Sequence, residues 1–257
     1  MSENHKAALE QSIKAYPGKV GLAVRTLDGR EFLLNASDAW QPASVIKLVV
    51  LCAAFQELNL QERRVLPKLE RGGGWGVLQH LSRPLELTLG DIALLMIFIS
   101  DNAATDYLLS LIPKERFPKM LRELGLKNTR VEKGFGTSFE PAEFSNGENV
   151  TTPLDILVLL EHIRSRKELK QMLAQQMDQA ILHRALPGDV KRYTKSGQFE
   201  TARNDVGILE WEGGGGIISL FSVPTQPIQH GALGYLAKLD GHLADIAEQA
   251  YLWARFM

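Results

Sequence analysis

Apolar and polar positions follow three regimes along this chain. From His5 to Tyr16 the apolar residues recur at helical spacing, which predicts a short amphipathic helix. Lys19 to Thr26 (KVGLAVRT) reads as a strand. Asp28-Gly29 is a hairpin signal, and Arg30 to Leu34 returns as a second strand. A helical middle follows. Ser44 to Leu60 is a mostly apolar run, and Thr88 precedes a further helix, forming with Asp91 a variant of the capping box. Asn102 to Leu111 and Lys114 to Leu124 are two more helices, the second stopped by Gly125. Thr152-Pro153 opens another, and Asp155 to Ile163 continues it with an apolar stripe. The pattern then turns back to strands at Lys191 to Ser196, Asn204 to Trp211 and Gly216 to Val223. Gly213 to Gly216 makes the turn between the last two. His230 to Phe256 closes the chain as a long amphipathic helix, with a break expected near Gly241.

This order predicts an α+β fold. Its simplest packing is a five-stranded antiparallel sheet flanked by the terminal helices, plus an all-helical lobe. Residues 1–42 and 190–257 form the α/β lobe, and residues 43–189 the helical lobe. The cleft between them is the default place for an active site. With 257 residues, 45% of them hydrophobic, the chain is long and apolar enough to bury a substantial core.

Charge and cysteine usage remove several function classes. The 29 basic and 30 acidic residues leave a net charge of −1, so nothing in the composition points to a nucleic acid. One cysteine, Cys52, excludes an intramolecular disulfide, and its setting (LVVLCAAF) reads as a buried core position. His5, His80, His162, His183, His230 and His242 lack metal-ligand spacing, so no metal and no cofactor is expected. There is no G-x-S-x-G elbow. The glycine run before the last strand is followed by neither lysine nor helix, so it reads as a hairpin loop rather than a phosphate cradle. The first twenty residues have no apolar stretch of signal-peptide type, and no run approaches the ~20 residues of a membrane span. The chain as written is therefore expected in the cytoplasm, or outside it if a leader was trimmed.

Three short motifs carry chemistry. Ser44-Val45-Ile46-Lys47 sets a hydroxyl and an amine on one face of a helix start. There Lys47 can take the Ser44 proton if burial lowers its pKa, and helix N–H groups can meet an oxyanion. Ser100-Asp101-Asn102 sits between two predicted helices, where a serine can relay a proton and an asparagine can hold the lysine and a substrate amide. Lys195-Ser196-Gly197 lies on the first C-terminal strand. Its lysine adds positive charge, its serine can bond a carboxylate, and its glycine lets substrate approach the backbone. Alone, each has an ordinary reading as a helix cap or strand end. In this order, S-x-x-K, S-D-N and K-S-G together match the signature of class A β-lactamases and penicillin-binding proteins.

The chain resembles the class A β-lactamase family over nearly its whole length. PASVIKL is similar to the nucleophile segment, LTLGDIALLMIFISDNAATDYLL to the helix-loop-helix around S-D-N, LGLKNTRVE and NVTTP to the flanks of the omega loop, and YTKSG with RNDVGILEW to two C-terminal strands. The resemblance implies that Ser44 is acylated, Lys47 activates it, Ser100 protonates the leaving nitrogen and Asn102 positions substrate. It further implies that Lys195 and Ser196 hold the carboxylate of a β-lactam or a D-Ala-D-Ala-like peptide, with Arg203 assisting. The N–H groups of Ser44 and Gln198 would form the oxyanion hole, beside Gly197. Trp75, in GGGWG, either walls the cleft or anchors a surface loop.

One departure stands out. The family's omega loop carries a glutamate, followed four residues later by asparagine, that activates the deacylating water. Here VEKGFGTSFEPAEFSNGENVTTP has no glutamate at that spacing, and an ungapped count sets Phe135 near the position. Lys133 and Asn149 stand where the resemblance expects an arginine–aspartate pair. Glu140 or Glu143 is left to swing into the role, against the plainer reading as solvated loop carboxylates. The expected activity is a class A-like β-lactamase. The rivals are a related D,D-peptidase, esterase or amidase, and a module that is acylated and stays so.

Overall fold

The computed structural model describes residues 2–69, 74–144, 147–229 and 231–256, with side chains from Asn4 onward. Parts of three expected features lie outside these: Gly72 and Gly73 of the GGGWG loop, Ser145 and Asn146 of the long loop, and His230 ahead of the last helix. The elements are α1 (Ser2–Ala15), β1 (Gly18–Thr26), β2 (Glu31–Leu34), α2 (Lys47–Glu57), β3 (Arg63–Leu66), β4 (Leu85–Thr88), α3 (Leu89–Phe98), α4 (Asn102–Leu109), α5 (Arg116–Glu123), α6 (Pro153–Arg164), α7 (Lys167–Leu173), α8 (Leu182–Ala185), β5 (Lys191–Phe199), β6 (Ala202–Trp211), β7 (Gly214–Pro224) and α9 (Leu233–Phe256).

The expected sheet is present, antiparallel throughout, in the order β2-β1-β7-β6-β5. Its two faces belong to different cores. Leu22, Val24, Leu209, Ile218 and Leu220 pack with α1 and α9, so both terminal helices cover the same face. Ala23, Val206, Ile208, Ile217 and Phe221 point the other way, into a core shared with α2, α3, α4 and α6. Alternation of period two therefore feeds two apolar layers rather than one layer and solvent. α2 lies inside that second core. Its residues from Lys47 to Ala54 are all buried, as expected of a helix apolar all round.

The caps read from sequence are formed. Thr88 and Asp91 make a reciprocal capping box on α3, and the Thr152 hydroxyl accepts from Asp155 N at the start of α6, with Pro153 in its first turn. Four expectations need correction. Ser44 lies in a 3₁₀ turn, Ala43–Ile46, and α2 begins only at Lys47 and ends at Glu57. A second, two-stranded sheet pairs β3 with β4; its short strands gave no periodic signal. The last hairpin turns at Glu212 and Gly213, so Gly214 and Gly215 are already paired with β6. α9 runs unbroken through Gly241, because packing on the sheet outweighs the ~1 kcal/mol helix cost of one glycine.

Candidate active site

Chain segments far apart in sequence meet at the end of β5. Asn204 on β6 donates to the carbonyls of Gln41 and Pro42, at 3.0 and 3.2 Å, tying the segment before Ser44 to the sheet. Gly197 lies against the Ser44 turn. A Cβ placed there would stand 2.7 Å from Pro42 O and 3.1 Å from the backbone N of Ser44 and of Val45. Only a residue without a side chain allows β5 this close. A 3₁₀ turn has three residues per turn, so Ser44 and Lys47 project along one line.

Lys47 is fully buried, and its Nζ is held by Ser100 O at 2.6 Å, Asn102 Oδ1 at 2.8 Å and Ser100 Oγ at 3.2 Å. Burial, and then the charge of Lys195, push its pKa well below the usual lysine value, against weaker pulls from Asp101 and Asp106. A neutral amine donates its two N–H groups to the carbonyl and the amide oxygen, which can only accept. Its lone pair stays free to take a hydroxyl proton. Lys195 is also buried. Its Nζ donates to Ser100 Oγ at 3.1 Å and Ser196 O at 2.8 Å, and burial lowers its pKa to about 8. Ser100 Oγ thus lies between two lysine nitrogens.

Two residues of the site occupy the left-handed region, which an L side chain enters at a cost of about 1–2 kcal/mol: Ala43 (φ 47°), just before Ser44, and Ser100 (φ 57°). Asp101 supports the second bend. Its carboxylate accepts from Val77 N, Leu78 N and Ala104 N at 2.7, 2.8 and 3.0 Å, capping α4 and holding the 74–78 segment. Asn102 N donates to Trp75 O, while the Trp75 side chain is 72% exposed. Trp75 therefore stands at the rim beside Asn102 and is not packed down as a loop anchor.

The long loop presents an aromatic ring. Phe135 faces Lys47, with Nζ 4.2 Å from the ring centroid. Its backbone N donates to Asp106 Oδ1, and Thr137 donates through both N and Oγ1 to Asp106 Oδ2. Asp106 is one helical turn beyond Asn102, so α4 offers one residue to the lysine and the next to the loop. Burial raises the Asp106 carboxyl to about 6 despite these bonds, with nearby Glu140 adding to the rise. Glu140 lies beside Asp106: a Cβ on Gly134 would stand 2.7 Å from both Glu140 Oε1 and Asp106 Oδ1. Glu143 is exposed, and its carbonyl accepts from Lys114. At the neck of the loop, Asn149 accepts from Glu132 N and Lys133 N and donates to Lys133 O.

On β6, Arg203 departs from its expected part in anchoring a substrate carboxylate. It donates from Nε to Asp240 at 2.6 Å and from Nη1 to Asp178 at 2.9 Å, and its side chain is 3% exposed. The Ser196 hydroxyl meets the amide of buried Gln176 at 2.7 Å. Gln198, beyond Gly197, is exposed. Cys52 is buried, and burial pushes its thiol up to about 12, leaving it inert at neutral pH.

A profile of the "beta-lactamase enzyme family" matches residues 4–237. The chain belongs to the β-lactamase enzyme family. Its fold is that of class A β-lactamases. A β-lactamase from Sphaerobacter thermophilus superposes with a TM-score of 0.83 at 24% identity, over 99% of this chain and 98% of that one. A class A β-lactamase from Mycobacterium abscessus gives 0.80 at 17%, over 96% and 98%. A point mutant of PBP-A, solved as an acyl-enzyme complex with penicillin G, gives 0.76 at 21%, over 98% and 97%. No curated protein matches the sequence.

Four residues that shape this β-lactamase-family site were not singled out from sequence: Asp106, Gln176, Asp178 and Asp240. Asp106 was within reach, since it sits at i+4 from Asn102 on a helix whose start was read correctly. The others act through contacts between elements distant in sequence, such as Asp240 on α9 with Arg203 on β6. No helix among the described residues is long and apolar enough to cross a membrane.

Proposed function

We propose that the protein is a serine acyl-transfer hydrolase that forms an ester at Ser44 with β-lactam-type amides and releases it slowly. The observation that carries this reading is the position of Ser100 Oγ, 3.2 Å from Lys47 Nζ and 3.1 Å from Lys195 Nζ. Lys47, whose pKa burial lowers, takes the Ser44 proton in its neutral form as Oγ attacks the carbonyl carbon. The oxyanion meets the backbone N–H groups of Ser44 and Gln198. As the C–N bond breaks, the Ser100 hydroxyl passes a proton to the leaving nitrogen and regains one from the lysine side. Hydrolysis of the ester then needs a base to activate water. Phe135 covers Lys47 instead, which favours an acyl-enzyme that persists. That a fold relative, the PBP-A mutant, was solved as an acyl-enzyme with penicillin G agrees with this chemistry.

Intact-mass spectrometry after mixing with benzylpenicillin tests the reading. The protein is expected to gain the mass of the whole drug and keep it over many minutes, and Ser44→Ala is expected to gain nothing. Nitrocefin should give one burst of colour per protein, followed by a slow phase. A wild-type protein that never takes up the mass overturns the proposal, and rapid sustained colour overturns its slow second half.

A further inference from the structure

Resting on the reading of Ser44 as nucleophile, one buried amide on β6 bears on how the oxyanion is met. The two N–H groups assigned to the oxyanion come from different elements, Ser44 from the 3₁₀ turn and Gln198 from β5. The turn is no part of the sheet, so no ladder hydrogen bond fixes its distance from β5. That distance matters, because an oxyanion gains from preorganised donors only when each stands about 2.7–3.1 Å from its oxygen.

Asn204 is fully buried and is the register partner of Gly197 across β5 and β6. Its Nδ2 carries two hydrogens, and both are used: one goes to Gln41 O at 3.0 Å and the other to Pro42 O at 3.2 Å. Its Oδ1 accepts from Ser222 N at 3.1 Å. The β6–β7 ladder stops at Asp205 and Leu220, which leaves Ser222 N to a side chain. The amide is thus anchored in the sheet on one side and holds two consecutive carbonyls of the segment entering Ser44 on the other. Those carbonyls directly precede Ala43, whose φ of 47° costs about 1–2 kcal/mol and persists only where the surroundings over-determine it. With the two bonds cut, Ala43 is free to relax toward an ordinary φ, and the next N–H along the chain is that of Ser44. Gly197 sets the near limit of the same gap, since a Cβ there would stand 3.1 Å from Ser44 N, and Asn204 sets the far limit.

We propose that Asn204 is a positioning residue for acylation: by clamping the carbonyls of Gln41 and Pro42 to β6, it sets the distance between the oxyanion-binding N–H groups of Ser44 and Gln198. It acts through the backbone of the turn, so its loss weakens the hole without removing either donor.

Two readouts test this. Stopped-flow mixing with nitrocefin over a range of concentrations separates the limiting acylation rate from the half-saturation concentration. Infrared difference spectra of the acyl-enzyme, formed from benzylpenicillin with an isotope-labelled β-lactam carbonyl, read the ester C=O stretch, which falls in wavenumber as hydrogen bonds to its oxygen strengthen. Asn204→Ala is expected to lower the limiting rate about 10²-fold, the cost of a misplacement near 1 Å, with half-saturation changed less than about threefold. Its ester band is expected at higher wavenumber than in the wild type. Asn204→Asp keeps the volume and an acceptor for Ser222 N but retains at most one donor. Both of its readouts should lie between wild type and Asn204→Ala, and it carries the test if Asn204→Ala does not fold. Either readout unmoved in a folded variant overturns the proposal, and as long as the wild type is acylated at Ser44 the acyl-transfer reading stands. A wild-type protein that is never acylated removes that reading, and the role of Asn204 with it.

Discussion

The two walls of the cleft are built differently. On one wall Lys47 and Lys195 are fully buried, and Ser100 Oγ is bonded to both. Asp101 fixes the bend that carries Ser100. Both amines are held by oxygen atoms of neighbouring residues, and the backbone accepts left-handed geometry at Ala43 and Ser100. The opposite wall is a loop. Among its described residues between 131 and 150, the carboxylate of Asp106 and the amide of Asn149 accept backbone N–H groups, Val131 and Phe144 are buried, and the ion pair of Lys133 is on the surface. The comparison separates two halves of a reaction. The parts that would acylate Ser44 are set in the core, where no single change is local. The part that would govern release of the acyl group is on a loop that meets that core through only some of its residues, Val131, Phe135 and Phe144 among them.

The largest effects are expected on the buried wall. Lys47→Ala should slow acylation of Ser44 by roughly 10²–10⁴-fold, the range of a positioned general base. Stopped-flow mixing with nitrocefin reads this directly. Because burial sets Lys47 below the usual lysine range, acylation in the wild type should level off below the pH at which an ordinary lysine loses its proton, and fall as the pH drops further and the amine takes a proton. A rate that climbs steadily toward pH 10 would mean that Lys47 is not the base. Phe135→Glu tests the other wall. A carboxylate facing the amine should shorten the acyl-enzyme lifetime by about 10²-fold through water activation. It should also slow acylation several-fold at pH 7, because a neighbouring negative charge favours protonated Lys47. An unchanged lifetime would show that the ring is not what protects the ester.

A smaller effect concerns stability beneath the buried wall. Burial, and then the charge of Asp178, raise the Asp205 carboxyl to about 7, while Oδ2 accepts from Leu182 N and Oδ1 has no partner. A carboxyl with a raised native pKa contributes stability that is fully present below its unfolded value of about 4 and is lost as pH climbs to about 7. Asp205→Asn keeps an acceptor for Leu182 N and removes the titration. Its stability relative to wild type, followed by thermal unfolding at each pH, should therefore rise between pH 5 and pH 8 by an amount on the order of 2 kcal/mol. A difference that stays constant with pH would place the titration elsewhere.

Much of the buried wall was legible in the sequence, because its chemistry falls in three compact motifs and its helices announce themselves through caps and apolar spacing. Thr88 with Asp91 and Thr152 with Pro153 are local signals, and the structure forms them where the sequence sets them. Ungapped spacing was also enough to set Phe135 at the critical loop position. What could not be read was whatever depends on two distant elements meeting. Nothing near Arg203 in sequence says that Asp178 and Asp240 take its donors, and nothing near Glu140 says that it lies beside Asp106. The 3₁₀ start of the Ser44 segment was hidden for a related reason. Apolar spacing does not separate three residues per turn from 3.6 over a single turn.

The smallest effects bear on what pins the loop neck, where Lys133 and Asn149 stand in place of an expected ion pair. Lys133 does form one, with Glu148 at 3.2 Å, but the partners are 50% and 68% exposed. Such a pair contributes little, so Lys133→Ala should cost no more than about 0.5 kcal/mol and leave the acyl-enzyme lifetime alone. Asn149 makes three hydrogen bonds to the backbone of Glu132 and Lys133 from a half-buried position. Asn149→Ala should cost roughly 1–2 kcal/mol and speed hydrogen exchange at the Glu132 and Lys133 amides, which lose their acceptor. Since Asp106 still holds Phe135 and Thr137 further along, Asn149→Ala should loosen the neck while the ring continues to cover Lys47. Equal costs for the two substitutions, measured by thermal unfolding, would return the neck to charge pairing. A lifetime shortened in Asn149→Ala alone would show that the neck, and not Asp106, sets where the ring lies.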